Sequence, residues 1–363
     1  MNETLTIRAI RTTAVEVPMK HVLGTSQAAV RAAPLLLIDL ETEEGVTGHA
    51  YLFCYVRAAG AAMAAMVAEI ERRVQGDRVA PVDLWKKLAK GFTLIGVQGI
   101  VRMAMAGVDV ACWDALAIAA KRPLAAVLGA SPRPVRAYNS CGLGLMAPEA
   151  LAREAAELLE GGFGAMKLRL GYPTLAEDLR ALAAVRGAVP PGTHIMVDYN
   201  QALSVAEALA RGRALDAEGI YWLEEPIRHD DWRGNARLAR ELATPVQIGE
   251  NFSLVQGMQE ALDHDACDYV MPDLERIGGV TGWMRAASLA AARGIEMSSH
   301  LFPEVSAHLL AATPSAHWLE YVDWAAPILA EPLALAEGHA IIPDRPGNGL
   351  AWNREAVERY RMG

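Results

Sequence analysis

The chain carries no excess of basic charge: 34 Lys and Arg stand against 43 Asp and Glu, a formal net charge of −9. Without a basic block, nucleic acid and anionic membrane are poor partners. Cysteine is scarce too. Cys54, Cys112, Cys141 and Cys267 lack the spacing of a zinc site or a disulfide framework, so reduced, buried thiols are expected. No stretch approaches the roughly 18 to 20 uncharged apolar residues of a membrane span. Met1 to Pro18 alternates charge with β-branched residues and has no apolar signal core, which points to the cytoplasm. No Gly-x-Gly-x-x-Gly fingerprint follows the first strand, which argues against an open dinucleotide-binding sheet.

What is present is a large apolar fraction, 52% of 363 residues, enough for a barrel with an accessory domain. Leu5 to Val17, Leu35 to Leu40 and Ala50 to Tyr55 are β-rich, with a turn at Gly45-Val46-Thr47-Gly48, and read as an antiparallel meander. Ala-rich amphipathic segments around Ala58 to Val74, Val82 to Lys90 and Ile100 to Ala120 read as a helical layer. Pro132-Arg133-Pro134 reads as a linker. From Val135 strands and helices alternate strictly, with a helix from Pro148 to about Glu160 and strands near Tyr138, Ala165, Asp198, Ile220, Val246, Tyr269, Ile295 and Trp318. That is about eight strands, the number that closes a (β/α) barrel. The expected fold class is α/β. Residues 1–134 form a capping domain, 135–326 a barrel, and 327–363 a Pro/Gly-rich tail packing back on the cap.

Three acids end three successive apolar runs at one interval. Asp198, Glu224 and Glu250 are each 26 residues apart, about one strand, one helix and two short loops. Carboxylates at the C-terminal ends of three neighbouring barrel strands converge, and converging anions repel unless a cation lies between them. Hard oxygen donors without nearby Cys or His point to Mg²⁺. A single acid after a strand is more often a helix N-cap. The even interval favours a metal site.

Other reactive residues fall at the same end. Lys167 and Arg169 are two apart on a strand and so share a face, directed into the barrel mouth. Asp273 and His300 lie 27 residues apart, again one unit, so the carboxylate can fix the imidazole tautomer and raise its basicity. Glu320 ends the last strand. Around a metal these groups fit abstraction of a proton α to a carboxylate. His300, assisted by Asp273, is the base, with Arg169 a second candidate base on the opposite face, while Lys167 and the metal neutralise the enediolate and a protonated Glu320 donates a hydrogen bond. A lone His is more often a core residue, and His308 and His317 are read so. Gly278-Gly279-Val280-Thr281-Gly282 lacks the Walker Lys-Ser/Thr and reads as a tight β/α turn.

At these residues the chain resembles the enolase superfamily, in its mandelate racemase subgroup. The likeness runs through Arg102-Met103-Ala104, Asp109, Trp113-Asp114-Ala115-Leu116, Met196-Val197-Asp198-Tyr199-Asn200-Gln201, Glu224-Glu225-Pro226, Met271-Pro272-Asp273, Met297-Ser298-Ser299-His300-Leu301-Phe302 and the following Ser306 to Ala312. The resemblance implies an α+β capping domain on a modified (β/α)₇β barrel, assembled as a homo-oligomer, an octamer. It implies Asp198, Glu224 and Glu250 as Mg²⁺ ligands and Lys167 and Asn200 on the carboxylate of a small-molecule substrate. The Asp273–His300 dyad would be a base and Glu320 the electrophile. Ser140, Leu23, Gln27, Val30 and Tyr55 are further candidate substrate contacts. The loop Lys20 to Ala33 and the segment Tyr51 to Tyr55 resemble the family's apolar cap over an aromatic side chain, with Val22 and Phe53 also apolar and Arg31 added.

One departure bears on the reaction. Mandelate racemase has Lys-x-Lys where this chain has Lys167-Leu168-Arg169. Arginine holds its proton far more tightly than lysine, with an ordinary pKa of about 12.5–13.8 against about 10.4. The leading expectation is racemisation or epimerisation of a mandelate-like 2-hydroxy acid. The alternative is dehydration of an acid sugar with His300 as the single base, and a carboxylate-binding barrel without turnover is a remote third.

Overall fold

Alternating apolar and polar residues near both ends of the chain's first hairpin fold it into antiparallel strands. β1 (Ile7–Gly24), β2 (Ala29–Thr42) and β3 (Thr47–Phe53) form a three-stranded meander. The computed structural model describes residues 4–26 and 29–362. β1 and β2 continue through most of the segment expected as a loop between Lys20 and Ala33. Pairing resumes at Leu23↔Val30 and Gly24↔Ala29 after a register shift beyond Pro18. The proline interrupts the ladder without ending the strand. Gln27, a candidate substrate contact, lies outside the described residues.

Helices α1 (Arg57–Val74), α2 (Pro81–Gly91) and α3 (Gly99–Ala119) follow. The buried α3 is wedged between the meander and the barrel. Gly48 permits this approach, since a Cβ there would stand 2.0 Å from the Ala111 carbonyl. Asp109 accepts from the Thr281 amide (2.9 Å) and hydroxyl (2.5 Å) on the barrel side. Asp114 accepts from the amides of His49 (2.7 Å) and Asn348 (2.6 Å), joining helix, meander and tail.

The barrel strands are β4 (Val135–Asn139), β5 (Ala165–Arg169), β6 (His194–Asp198), β7 (Leu223–Glu224), β8 (Val246–Ile248), β9 (Tyr269–Val270), β10 (Glu296–Met297) and β11 (Leu319–Tyr321). Each pairs in parallel with the next through β10. β11 pairs in parallel with β4, and the Ser299 amide donates to the Trp318 carbonyl (2.9 Å), which closes the ring. The helix expected to reach Glu160 ends at Glu157.

The tail does two things. β12 (Ala334–Ala336) and β13 (His339–Ile341) form a hairpin whose second strand pairs antiparallel with β4. Farther on, the Trp352 indole donates to Asp39 (2.6 Å) and the Met362 amide to the Ala14 carbonyl (2.9 Å), both on the meander. Among the described residues no helix is long and apolar enough to cross a membrane.

Candidate active site

Parallel strands in one register bring their C-terminal ends to one rim, and the reactive side chains gather there. One oxygen from each of Asp198, Glu224 and Glu250 lies within 4.8 Å of the others. Asp198 is oriented by Asn200, whose backbone amide (2.7 Å) and side-chain amide (2.9 Å) both donate to it. The Asn200 amide nitrogen, assigned by resemblance to the substrate carboxylate, thus serves the aspartate here. Burial, with neighbouring carboxylates, raises Asp198 and Glu224 above the usual carboxylate range, against the pull of Lys167. Buried acids at such spacing, all of them oxygen donors, fit a hard divalent cation.

Lys167 and Arg169 point the same way from β5, as strand alternation requires, and both are buried. The Lys167 ammonium lies 2.5 Å from Glu224, 2.7 Å from Glu320 and 3.5 Å from Asp198. Burial would lower its pKa, but the three carboxylates override that and raise it. Arg169 is held otherwise. Nη1 donates to the carbonyls of Gly142 (2.6 Å) and Ser140 (3.2 Å), and Nη2 to the Ser140 hydroxyl (3.0 Å). Its Nε is buried and has no hydrogen-bond partner among the described residues. Ser140, a candidate substrate contact, is occupied in carrying the guanidinium.

Opposite stands the dyad. His300 Nδ1 lies 2.7 Å from Asp273 Oδ2, leaving Nε2 directed toward Glu250 at 3.3 Å and Glu320 at 3.9 Å. Burial would lower the imidazole pKa. The charges of Glu250 and Glu320 and the Asp273 hydrogen bond outweigh it and raise it to about 9. Glu320 accepts from the Leu301 amide (2.9 Å) and the Lys167 ammonium. Burial works to raise its pKa, yet Lys167 and then His300 bring it well below the usual carboxylate range. The sequence predicts a protonated Glu320 that donates. In this arrangement two donors, the Leu301 amide and the Lys167 ammonium, converge on its oxygens.

The β1–β2 hairpin reaches the same rim. The Leu145 amide donates to the Gly24 carbonyl (3.1 Å), and His21 Nδ1 meets Glu154 at 2.8 Å. Leu23 packs on the core as a partly buried residue, and Val30 is half-buried beside it in the ladder. Tyr55 is 37% exposed, packs at a tilt against Phe53 with ring centres 4.5 Å apart, and its hydroxyl accepts from Arg276 (2.8 Å). Phe53 in turn lies 4.9 Å from Trp324.

Three residues at the site escaped sequence reasoning. Arg276 donates to the Glu250 carbonyl (3.0 Å), Asn251 Oδ1 and Tyr55, tying a metal-ligand candidate to the cap. Glu154 holds the Leu143 amide (2.7 Å) in the loop that carries Arg169. Glu225 is fully buried and accepts from the Gly249 amide (3.0 Å) in the turn before Glu250. No spacing signal marks the first two, since their partners come from other units. His308 is buried and His317 half-buried, and desolvation holds both near 4. His308 Nδ1 accepts from the Ala125 amide, and His317 meets the Tyr221 hydroxyl, both away from the dyad. The glycine pair at Gly278-Gly279, expected as a tight β/α turn, instead joins the short helix Leu274–Ile277 to the helix Gly279–Arg293, with φ of +100° and +69°, and a Cβ on Gly279 would meet Asp109 at 2.5 Å.

A capped (β/α)₇β barrel with a carboxylate triad, an internal lysine and an Asp–His dyad defines a class of divalent-metal enzymes that act on carbon acids. The chain belongs to the mandelate racemase/muconate lactonizing enzyme family of the enolase superfamily. Residues 7–129 match the model of that family's N-terminal domain, and 150–356 the enolase C-terminal domain-like model. The structure is similar to an enolase from alpha proteobacterium bal199 solved with bound magnesium, 45% identical with a TM-score of 0.97 over 99% of this chain and 100% of that one. It is also similar to a Bradyrhizobium enolase complexed with magnesium and mandelic acid, 40% identical with a TM-score of 0.95 over 100% of both chains. Among curated proteins it is similar to the L-talarate/galactarate dehydratase of Salmonella typhimurium, 32% identical over 92% of this chain and 84% of that protein. The chain is an enzyme of this superfamily, and its acidic triad suits Mg²⁺.

Proposed function

We propose that the chain enolises a 2-hydroxycarboxylate with His300 as its single base, and that the outcome is dehydration of an acid sugar. Asp198, Glu224 and Glu250 would hold Mg²⁺, which when bound supplies positive charge toward the substrate carboxylate. Lys167 adds its ammonium from the barrel floor. His300 Nε2 removes the C2 proton, and its Nδ1 stays anchored on Asp273. The C3–O bond then breaks as the electron pair moves into a C2–C3 double bond. The departing hydroxide takes up the proton from His300 and leaves as water, and the enol becomes a 2-keto acid.

The observation that carries this reading is the setting of Arg169. Its terminal nitrogens donate to Ser140 and Gly142. A guanidinium bound in that way is a fixed positive charge, unsuited to taking a proton from the second face. Dehydration needs only one face; racemisation needs two.

A second reading, racemisation of an aryl 2-hydroxy acid, draws on the aromatic cluster of Tyr55, Phe53 and Trp324 and on the relative complexed with mandelic acid. Incubation in D₂O with monoacid sugars, diacid sugars and mandelate separates the two. Keto-acid formation from a sugar, with exchange from one configuration only, supports dehydration. Deuterium entering mandelate from both configurations overturns it. We further propose the boundaries near residues 134 and 326 and an octameric assembly, which light scattering would test.

A further inference from the structure

The floor of the barrel holds a residue outside the chemistry described so far. Trp222 lies two positions before Glu224 on one strand line, so both side chains point inward. Its indole Nε1 donates to Glu224 Oε2 at 3.0 Å, while Lys167 takes Oε1 at 2.5 Å. The indole is fully buried. Its plane is set by edge-on contacts with Tyr138 (5.3 Å) and Tyr221 (5.4 Å) and a tilted contact with His317 (5.8 Å).

We propose that Trp222 is a positioning residue for the metal centre. It ties down Oε2 of Glu224 from below while Lys167 holds Oε1, so that the carboxylate meets the cation in one orientation. The aromatic packing beneath the site thereby sets a ligand's geometry, acting through a neutral N–H that adds no charge to compete with the metal. This inference rests on Glu224 being a Mg²⁺ ligand. Partners that orient a metal ligand typically change affinity by about 10–100-fold when removed.

The test is calorimetric titration of the metal-free full-length protein with MgCl₂. Trp222→Phe keeps an aromatic ring on Tyr138 and removes only the donor. Mg²⁺ should bind about tenfold or more weakly, at an unchanged stoichiometry of one and with a similar metal-free melting temperature. Glu224→Gln is the control that separates the two claims. If it leaves Mg²⁺ binding intact, the ligand assignment itself fails. If it abolishes binding while Trp222→Phe binds like wild type, only the role of Trp222 is overturned. Should Trp222→Phe not fold, the wild-type protein gives the answer through its indole N–H resonances. The one broadened most steeply by Mn²⁺ in place of Mg²⁺ should shift with Mg²⁺ along the calorimetric curve. A resonance that stays still through saturation overturns the proposal.

Discussion

Asp273 divides its two oxygens between a helix and a histidine. Oδ1 accepts from the amides of Glu275 (2.8 Å) and Arg276 (3.1 Å), capping the short helix Leu274–Ile277, and Oδ2 meets His300 Nδ1 at 2.7 Å. The carboxylate is fixed by backbone before it orients the imidazole, so its geometry does not depend on the ring it serves.

His300→Asn should therefore stop α-proton exchange in D₂O while leaving Mg²⁺ binding in place. Asp273→Asn should leave a residue of activity, about 10–100-fold below wild type, because the ring stays but loses its orienting anion. Proton NMR of the exchange reaction reads both. A near-wild-type rate in His300→Asn would remove His300 from the mechanism, and one in Asp273→Asn would remove the need for an orienting anion.

Removing the Arg169 charge should cost transition-state stabilisation and not metal affinity. Arg169→Met removes a fixed positive charge that Ser140 and Gly142 hold at the barrel mouth, and losing one preorganised stabiliser of developing charge typically costs about 100-fold or more. A fall in kcat/KM of about 100-fold with Mg²⁺ affinity unchanged is expected from steady-state kinetics and calorimetry.

The seam between cap and barrel should weaken as pH rises. Burial holds Asp109 up at about 7 and Asp114 at about 6, against hydrogen bonds that work to lower them. In the unfolded chain both titrate near 3.9. Between about pH 4 and pH 7 the folded state keeps protons that the unfolded state has lost. The stability from these groups is complete below about pH 4 and is lost as pH climbs through 6 and 7. The thermal midpoint should drop by about a few degrees from pH 5 to pH 8, and Asp109→Asn should show a shallower drop.

The hairpin seat should be sensitive to one methyl group. A Cβ on Gly144 would lie 2.5 Å from the Gly24 carbonyl oxygen and 2.7 Å from Gly24 N and Cα, all main-chain atoms that move only with the hairpin. Gly144→Ala should raise KM about tenfold, with little change in kcat or melting temperature. An unchanged KM would show that the hairpin seat has no part in substrate binding.

The metal-ligand candidates were legible because they obey a repeat. One unit of 26 residues carries a side chain from one strand end to the next, so Asp198, Glu224 and Glu250 could be aligned without coordinates. Asp273 and His300 follow the same rule and come together as a bridged pair. Alternation placed Lys167 beside Arg169 on one face, and the same rule applied to Trp222 and Glu224 would have found that pair. Arg276 and Glu154 were invisible for the opposite reason. Their partners, Tyr55 and His21, belong to the cap, and their meeting depends on how two layers dock. The resemblance implies a loop from Lys20 to Ala33, and no alternation in that stretch marks the hairpin. Its strands persist because each is paired by the other, as in Pro18↔Ala32 and Glu16↔Pro34.

The hairpin is hooked to the barrel in part by atoms that every residue type possesses, the carbonyl of Gly24 and the amide of Leu145. Such a hook is indifferent to the side chains next to it. Leu23 and Val30 stand beside that attachment without making it, so exchanging either leaves the hook's own atoms in place and separates the ribbon's anchorage from its side-chain chemistry.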